Sequence, residues 1–343
     1  MSAGVKNRVI ACSLSAFLGL LLTASSSFSA DSSPQFISPV DCSVPTECAI
    51  QNYVDARPGT GHRDYTCGTL SYERHKGTDF RVLSYDLYHQ GVPVLAAADG
   101  VVLRKRNNAE EGDYILKGND AVKQREIGNG VIIEHANGWE TTYAHLKKGS
   151  VTVSPGDKVN SGDIIGIIGL SGKTEFPHLH FQVSHNKELK DPFTGKKPSG
   201  CGEATEQSLW DRSLHKDFTY KGTGIIDTGF AAEIPKHKLL AFRSEQKRIS
   251  VQSDPKILLF WAELWGVRIA DRLTISYKNP LGKVTRDQKA LKKNQASYFK
   301  YIGKKRPKNG WISGPYTGEI TLERLVDGKW QTIDFRQKTM ILP

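Results

Sequence analysis

The chain has 343 residues and a mass of 38.0 kDa, enough for two domains with a core apiece. With 38% hydrophobic residues, 24% charged residues and 32 Gly, it is neither disordered nor fibrous. The 47 Lys and Arg exceed the 36 Asp and Glu by 11, a balance that would suit nucleic acid, but the N-terminus directs the chain away from that partner.

Residues 1–30 contain no acid and carry Lys6 and Arg8 ahead of an apolar run from Val9 to Ala24, followed by a small, Ser-rich stretch ending at Ala30. This is the pattern of a secretory signal peptide, so the mature chain is expected to begin near Asp31. Val9-Ile10-Ala11-Cys12 resembles a lipoprotein box but precedes most of the apolar stretch, so lipidation is not expected. No other segment offers the ~18 apolar residues of a membrane span. A soluble periplasmic or secreted protein is therefore expected.

Removing residues 1–30 leaves Cys42, Cys48, Cys67 and Cys201. An even number of cysteines in an exported chain reads as disulfides, with three possible connectivities. The favoured pairing is Cys42 with Cys48, a short loop, and Cys67 with Cys201, tying together two ends of one domain. A four-cysteine zinc site is the rival, but it lacks any Cys-x-x-Cys pair. Residues 31–70 form an N-terminal disulfide-bearing segment, either a structural cap or a propeptide that blocks a groove.

From residue 71 to 202 the chain reads as antiparallel β. Short apolar runs recur at 92–96, 101–103, 131–133, 141–144, 164–168 and 179–183, separated by Asp99-Gly100, Gly128-Asn129-Gly130, Asn137-Gly138, Pro155-Gly156-Asp157 and Ser161-Gly162-Asp163. Arg104 to Ile127 is charged and weakly patterned, and is expected to make a long excursion over the sheet. Residues 203–222 read as a linker, with a short helix possible within 203–220.

Residues 223–343 are also β-like. Leu273 to Tyr277 alternates and meets Asn279-Pro280-Leu281-Gly282, while 320–324 and 330–335 flank Asp327-Gly328, a strong hairpin signal. With Ile257 to Trp265 as a buried strand, the predicted unit is a small β-sandwich, immunoglobulin-like, with Trp261, Trp265, Trp311 and Trp330 in its core. The chain as a whole is expected to be all-β. Its charge is divided: residues 31–215 hold 20 Lys and Arg against 24 Asp and Glu, whereas residues 216–343 hold 25 against 12, a net of +13. The two halves are expected to do different jobs.

The chemistry concentrates in three short arrangements of the first module: His75-Lys76-Gly77-Thr78-Asp79, Tyr143-Ala144-His145-Leu146 and Pro177-His178-Leu179-His180-Phe181. Even spacing in extended chain puts side chains on one face, so His75 and Asp79 can point the same way if that segment is extended, as can His178 and His180. Catalytic zinc takes three imidazole or carboxylate ligands and keeps one position for water, whose pKa it lowers toward ~7. Further histidines can take the proton from that water and stabilise the oxyanion or protonate the leaving amine.

These segments resemble the signature motifs of the lysostaphin-type, or LytM-like, zinc metallopeptidases. The connecting text is similar as well, in 93–102, 128–135, 156–159 and 162–166, and the resemblance covers about Tyr72 to Pro192. It implies zinc ligands His75, Asp79 and His180, catalytic histidines His145 and His178, and an antiparallel β fold with the site in a groove. It also implies cleavage of peptides in bacterial peptidoglycan. Two departures, the insertion at 104–127 and the turn Ser171 to Pro177 in place of a Thr-Gly-rich one, touch no implied ligand but can alter substrate choice. Which of His145 and His178 is general base and which stabilises the oxyanion stays open.

His62, His89, His135, His185, His215 and His237 read as surface or packing residues, and Tyr72 as either an oxyanion aid or a groove wall. Gly166 to Thr174 fails as a phosphate loop because Ile167 stands where Gly is required. The basic half is expected to draw an anionic cell-wall polymer, in a salt-sensitive way. Two rival functions stand beside the zinc endopeptidase: a non-catalytic LytM-like regulator of a wall amidase, and a peptidase of secreted proteins.

Overall fold

The computed structural model describes residues 1–4, 33–202, 206–242 and 254–343. The signal-peptide reading falls almost wholly on residues outside these ranges. The described residues from 33 to 343 form one compact unit, all-β apart from short helical turns. Among the described residues no helix is long and apolar enough to cross a membrane.

Among the described residues seventeen strands follow one another. The first ten are β1 (Cys48–Asn52), β2 (Thr78–Val82), β3 (Pro93–Leu95), β4 (Gly100–Arg106), β5 (Asn129–Glu134), β6 (Trp139–Leu146), β7 (Lys158–Val159), β8 (Ile164–Ile167), β9 (His178–His185) and β10 (Glu188–Lys190). They build an antiparallel sheet of order β1-β2-β9-β6-β5-β4-β7, with β10 added to β9, and a small β3-β8 pair. Helix α1 (Tyr85–Gln90) starts at Ser84, whose hydroxyl accepts from the N–H groups of Asp86 and Leu87. The expected excursion begins later than Arg104, because β4 runs on to Arg106; it contains the one-turn helix α2 (Asp113–Lys117).

The cysteines pair as favoured, Cys42 with Cys48 and Cys67 with Cys201. Residues 206–222 are packed against the first module: Trp210 and Phe218 are buried, and Phe36 bridges to Trp210.

The second half contributes β11 (Gly224–Ala231), β12 (Ile257–Val267), β13 (Arg272–Lys278), β14 (Val284–Ala290), β15 (Gln295–Lys305), β16 (Gly314–Val326) and β17 (Lys329–Leu342). They form two sheets, β11-β12-β15 and β14-β13-β16-β17, with one apolar cluster including Phe260, Leu264, Ile275 and Ile320. Asp327 and Gly328 both have positive φ, +50° and +74°, as the tight turn between β16 and β17 requires.

Strand β12 is buried on both faces, which is why it reads as a continuous apolar run. Leu258, Phe260, Ala262 and Leu264 belong to the sandwich core, whereas Trp261 and Trp265 join the core of the first module. The period of two assigns Glu263 to the same face as those tryptophans. This corrects the expected placement of the indoles. Trp311 is only partly buried beside the sandwich core, and Trp330 is 42% exposed under the Arg272 guanidinium. An aromatic side chain that buries ~150–250 Å² contributes on the order of 4–6 kcal/mol by area, so Trp261 and Trp265 make the contact between halves substantial.

Candidate metal centre

Strand order explains how residues remote in sequence meet. The sheet places β9 between β2 and β6, and the ladder sets Asp79 opposite His180, Arg81 opposite His178, and Ala144 opposite His180 on the other side. His145 lies one residue beyond Ala144.

His75 does not reach the cluster along an extended strand, as the spacing suggested. It follows a turn in which its N–H donates to the Tyr72 carbonyl and Arg74 takes φ +62°, and β2 begins only at Thr78. The His75 Nδ1–H then donates to the Tyr53 carbonyl at 2.7 Å, leaving Nε2 to face inward. There Nε2 lies 3.1 Å from Asp79 Oδ1 and 3.1 Å from His180 Nδ1, and Asp79 Oδ1 lies 3.0 Å from His180 Nδ1. Asn52 Nδ2 donates to the other oxygen, Asp79 Oδ2, at 3.1 Å and so fixes the carboxylate.

These three donor atoms are the only described His, Cys, Asp and Glu group able to hold a metal ion together. Their spacing is close to the edge of a tetrahedron around an ion at ~2.0–2.1 Å, the zinc distance for nitrogen and carboxylate ligands. Two imidazoles and one carboxylate, each oriented by an outer partner or the sheet, fit a divalent cation.

The other two histidines stand beside them. His178 has Nδ1 2.9 Å from the Phe176 carbonyl and 3.1 Å from Thr174 Oγ1, and its Nε2 is 3.5 Å from Asp79 Oδ1. His145 has Nδ1 2.8 Å from the Ser171 carbonyl, and its ring centroid is 4.7 Å from that of His178. It adopts φ +63°, a left-handed conformation that costs a non-glycine residue on the order of 1–3 kcal/mol. The Tyr-Ala-His-Leu segment is thus a strand whose geometry breaks at the histidine, aiming its ring across β9.

Electrostatics favour metal-ready protonation for most of the set. Burial would raise Asp79, but charge on His75 and His178 and hydrogen bonds from His178 and His180 hold it well below the usual carboxylate range. Burial lowers His180 against the pull of Asp79, and lowers His145 strongly, reinforced by His178 and His180. His75 moves up: burial opposes the change, but Asp79 outweighs it. A cation binding there would compete with a proton for Nε2.

Two residues of the site carried no signal in the motif reading. Asn52 lies in β1, outside all three segments. Gly77 has its Cα so close to β9 that an added Cβ would lie 2.6 Å from His180 Cε1 and 2.7 Å from the Phe181 carbonyl. His135, expected at the surface or in packing, is buried, with Nδ1 contacting the Asp99 carbonyl and Nε2 contacting Thr141. Tyr72 is half-exposed and stacks on the His75 ring at 4.2 Å, forming a wall of the site.

An antiparallel sheet with a His-Asp-His cluster and two flanking imidazoles has the chemistry of a metallopeptidase centre. Residues 73–192 match the model of Peptidase family M23. The DD-carboxypeptidase/endopeptidase Mpg of Neisseria meningitidis serogroup B (strain ATCC 13091 / M2091) is 33% identical over 129 residues, covering 38% of this chain and 24% of that protein. The peptidoglycan DD-endopeptidase ShyA of Vibrio cholerae serotype O1 (strain ATCC 39315 / El Tor Inaba N16961) is 35% identical over 109 residues, covering 32% and 20%. The matched region thus spans about a quarter or less of these relatives. Among solved structures, the catalytic domain of lysostaphin from Staphylococcus simulans is 27% identical with a TM-score of 0.26, covering 39% of this chain and 86% of that one.

Proposed function

We propose that the chain is an exported zinc metalloendopeptidase that hydrolyses peptide bonds in bacterial peptidoglycan. The observation that carries this reading is the convergence of His75 Nε2, Asp79 Oδ1 and His180 Nδ1, with His145 and His178 alongside. The M23 match and the named activities of the relatives supply the substrate class. Two disulfides support an oxidising compartment outside the cytoplasm.

His75, Asp79 and His180 would hold the ion. When bound, zinc supplies Lewis acidity and lowers the pKa of the attacking water toward ~7. His178 donates Nδ1–H to the Phe176 carbonyl, a tautomer assigned from that contact, and so turns Nε2 toward the ligands, 3.5 Å from Asp79 Oδ1. It is the general base in this reading. His145, oriented in the same manner by the Ser171 carbonyl, stands next to it and donates to the developing oxyanion or the leaving amine after a proton reaches its Nε2. The +13 balance of residues 216–343 would add a long-range attraction for anionic wall polymers.

Digestion of purified sacculi, with mass spectrometry of the released fragments, tests the reading. Released peptides cut at an amide, dependent on added zinc and lost in His180→Ala, are expected. A zinc-replete protein that releases nothing would remove the assignment.

A further inference from the structure

Glu263 is an acid in the middle of the apolar run of β12, and it is buried. It accepts from Arg81 Nη2 at 2.9 Å through Oε1, and from the Tyr85 hydroxyl at 2.6 Å through Oε2. Arg81 is itself buried on β2, two residues after Asp79, and its Nη1 donates to Gln51 Oε1 at 2.9 Å. Two bonds in the guanidinium plane fix the orientation of that plane and leave its face free. Phe176 takes the face: the Arg81 Cζ lies 4.4 Å from the centre of the Phe176 ring.

Phe176 is the residue whose carbonyl accepts from His178 Nδ1, and its ring lies 4.7 Å from the His178 ring. An unbroken series of contacts therefore runs from the second module to a proposed catalytic imidazole. The exposed pair Lys238 with Glu175 touches the same turn at 2.9 Å, but a solvated pair adds little constraint.

We infer that Glu263 is a positioning residue for His178, acting through Arg81 and Phe176, so that the second module completes the active site of the first. Its catalytic consequence rests on the peptidase reading given above; the spatial coupling does not. Charge is essential to the device, because an unpaired guanidinium in this buried position would not keep its place.

The test uses the full-length mature protein with Glu263→Gln, Phe176→Leu and Phe176→Tyr. On metal-free protein, long-range imidazole ¹H–¹⁵N spectra, with the His178 signals identified through His178→Gln, report ring position independently of hydrolysis. Glu263→Gln and Phe176→Leu are expected to shift the His178 signals and leave those of His135 and His185 in place, while Phe176→Tyr restores the wild-type pattern. On zinc-loaded protein, kcat on peptidoglycan fragments is expected to fall about tenfold in the first two variants, with KM and zinc content unchanged. Folded variants whose His178 signals coincide with wild type overturn the inference, as does a loss of thermal stability alone with kcat intact. If Glu263→Gln does not fold, the two Phe176 variants decide by the same signals. A wild-type protein that hydrolyses nothing removes the peptidase reading, while the spectra still decide the coupling.

Discussion

Asp79 and His180 face each other across the β2–β9 ladder, with Asp79 Oδ1 3.0 Å from His180 Nδ1. Register alone brings them together, and His75 completes the group from an adjacent turn. Either His180→Ala or Asp79→Asn is therefore expected to leave the sheet intact while removing one of three ligands. Elemental analysis should find bound zinc falling from about one per chain to near background, and hydrolysis falling with it. Full zinc occupancy in either variant would disprove the ligand assignment.

Gly77 offers a more discriminating substitution, because it touches no metal ligand chemically. In Gly77→Ala the new methyl carbon would collide with His180 Cε1 and with the backbone oxygen of Phe181, and the oxygen cannot swing away as a side chain does. Stability is expected to drop by about 1–3 kcal/mol, as for an overpacked core, accompanied by weakened zinc binding. Urea denaturation together with a chelator competition checks both effects. Unchanged zinc affinity would mean that His180 does not need the gap.

The two disulfides should differ in their contribution. Cys67–Cys201 closes a separation of 134 residues and Cys42–Cys48 one of 6. Chain-entropy arguments give ~5 kcal/mol for the long loop and ~2 kcal/mol for the short one. Denaturant titration of Cys67→Ala/Cys201→Ala and Cys42→Ala/Cys48→Ala should preserve that order. The reverse order would show that native-state effects dominate at these bridges.

Asp227 supplies a pH dependence away from the metal centre. Burial raises it to about 6 from its ordinary 3.8, against hydrogen bonds from the Tyr85 and Thr228 N–H groups. The folded state thus holds this proton more tightly than the unfolded state. Its stabilising contribution is complete below pH ~4 and disappears as pH rises through 6, to the extent of at most ~3 kcal/mol. Relative to wild type, Asp227→Asn should therefore gain unfolding free energy between pH 4 and pH 7. A difference between the two proteins that is flat across this range would refute the shift.

Much of this was legible because the chemistry sits in local segments. His75, Asp79, His145, His178 and His180 lie in three short motifs, and turn residues such as Asp327-Gly328 announce their conformation through positive φ. The rest depends on partners distant in the chain. Nothing near Asn52 signals that it will orient a carboxylate in β2, and Gly77 looks like any turn glycine until β9 is laid beside it. Apolar periodicity reports burial without reporting against what, so the sequence alone points the tryptophans of β12 to the sandwich. Glu263 interrupts that run, and nothing local in the sequence names Arg81 as its partner.

The double burial of β12 also sets a limit on how this protein can be divided. A fragment ending before residue 223 would bare the surface that Trp261 and Trp265 cover and leave the Arg81 charge without its counterion. A fragment limited to residues 73–192, the stretch that matches the M23 model, would thus carry a sticky, wrongly charged flank. Heat or denaturant should take the two halves apart in a single cooperative step, as if they were one body with one melting point.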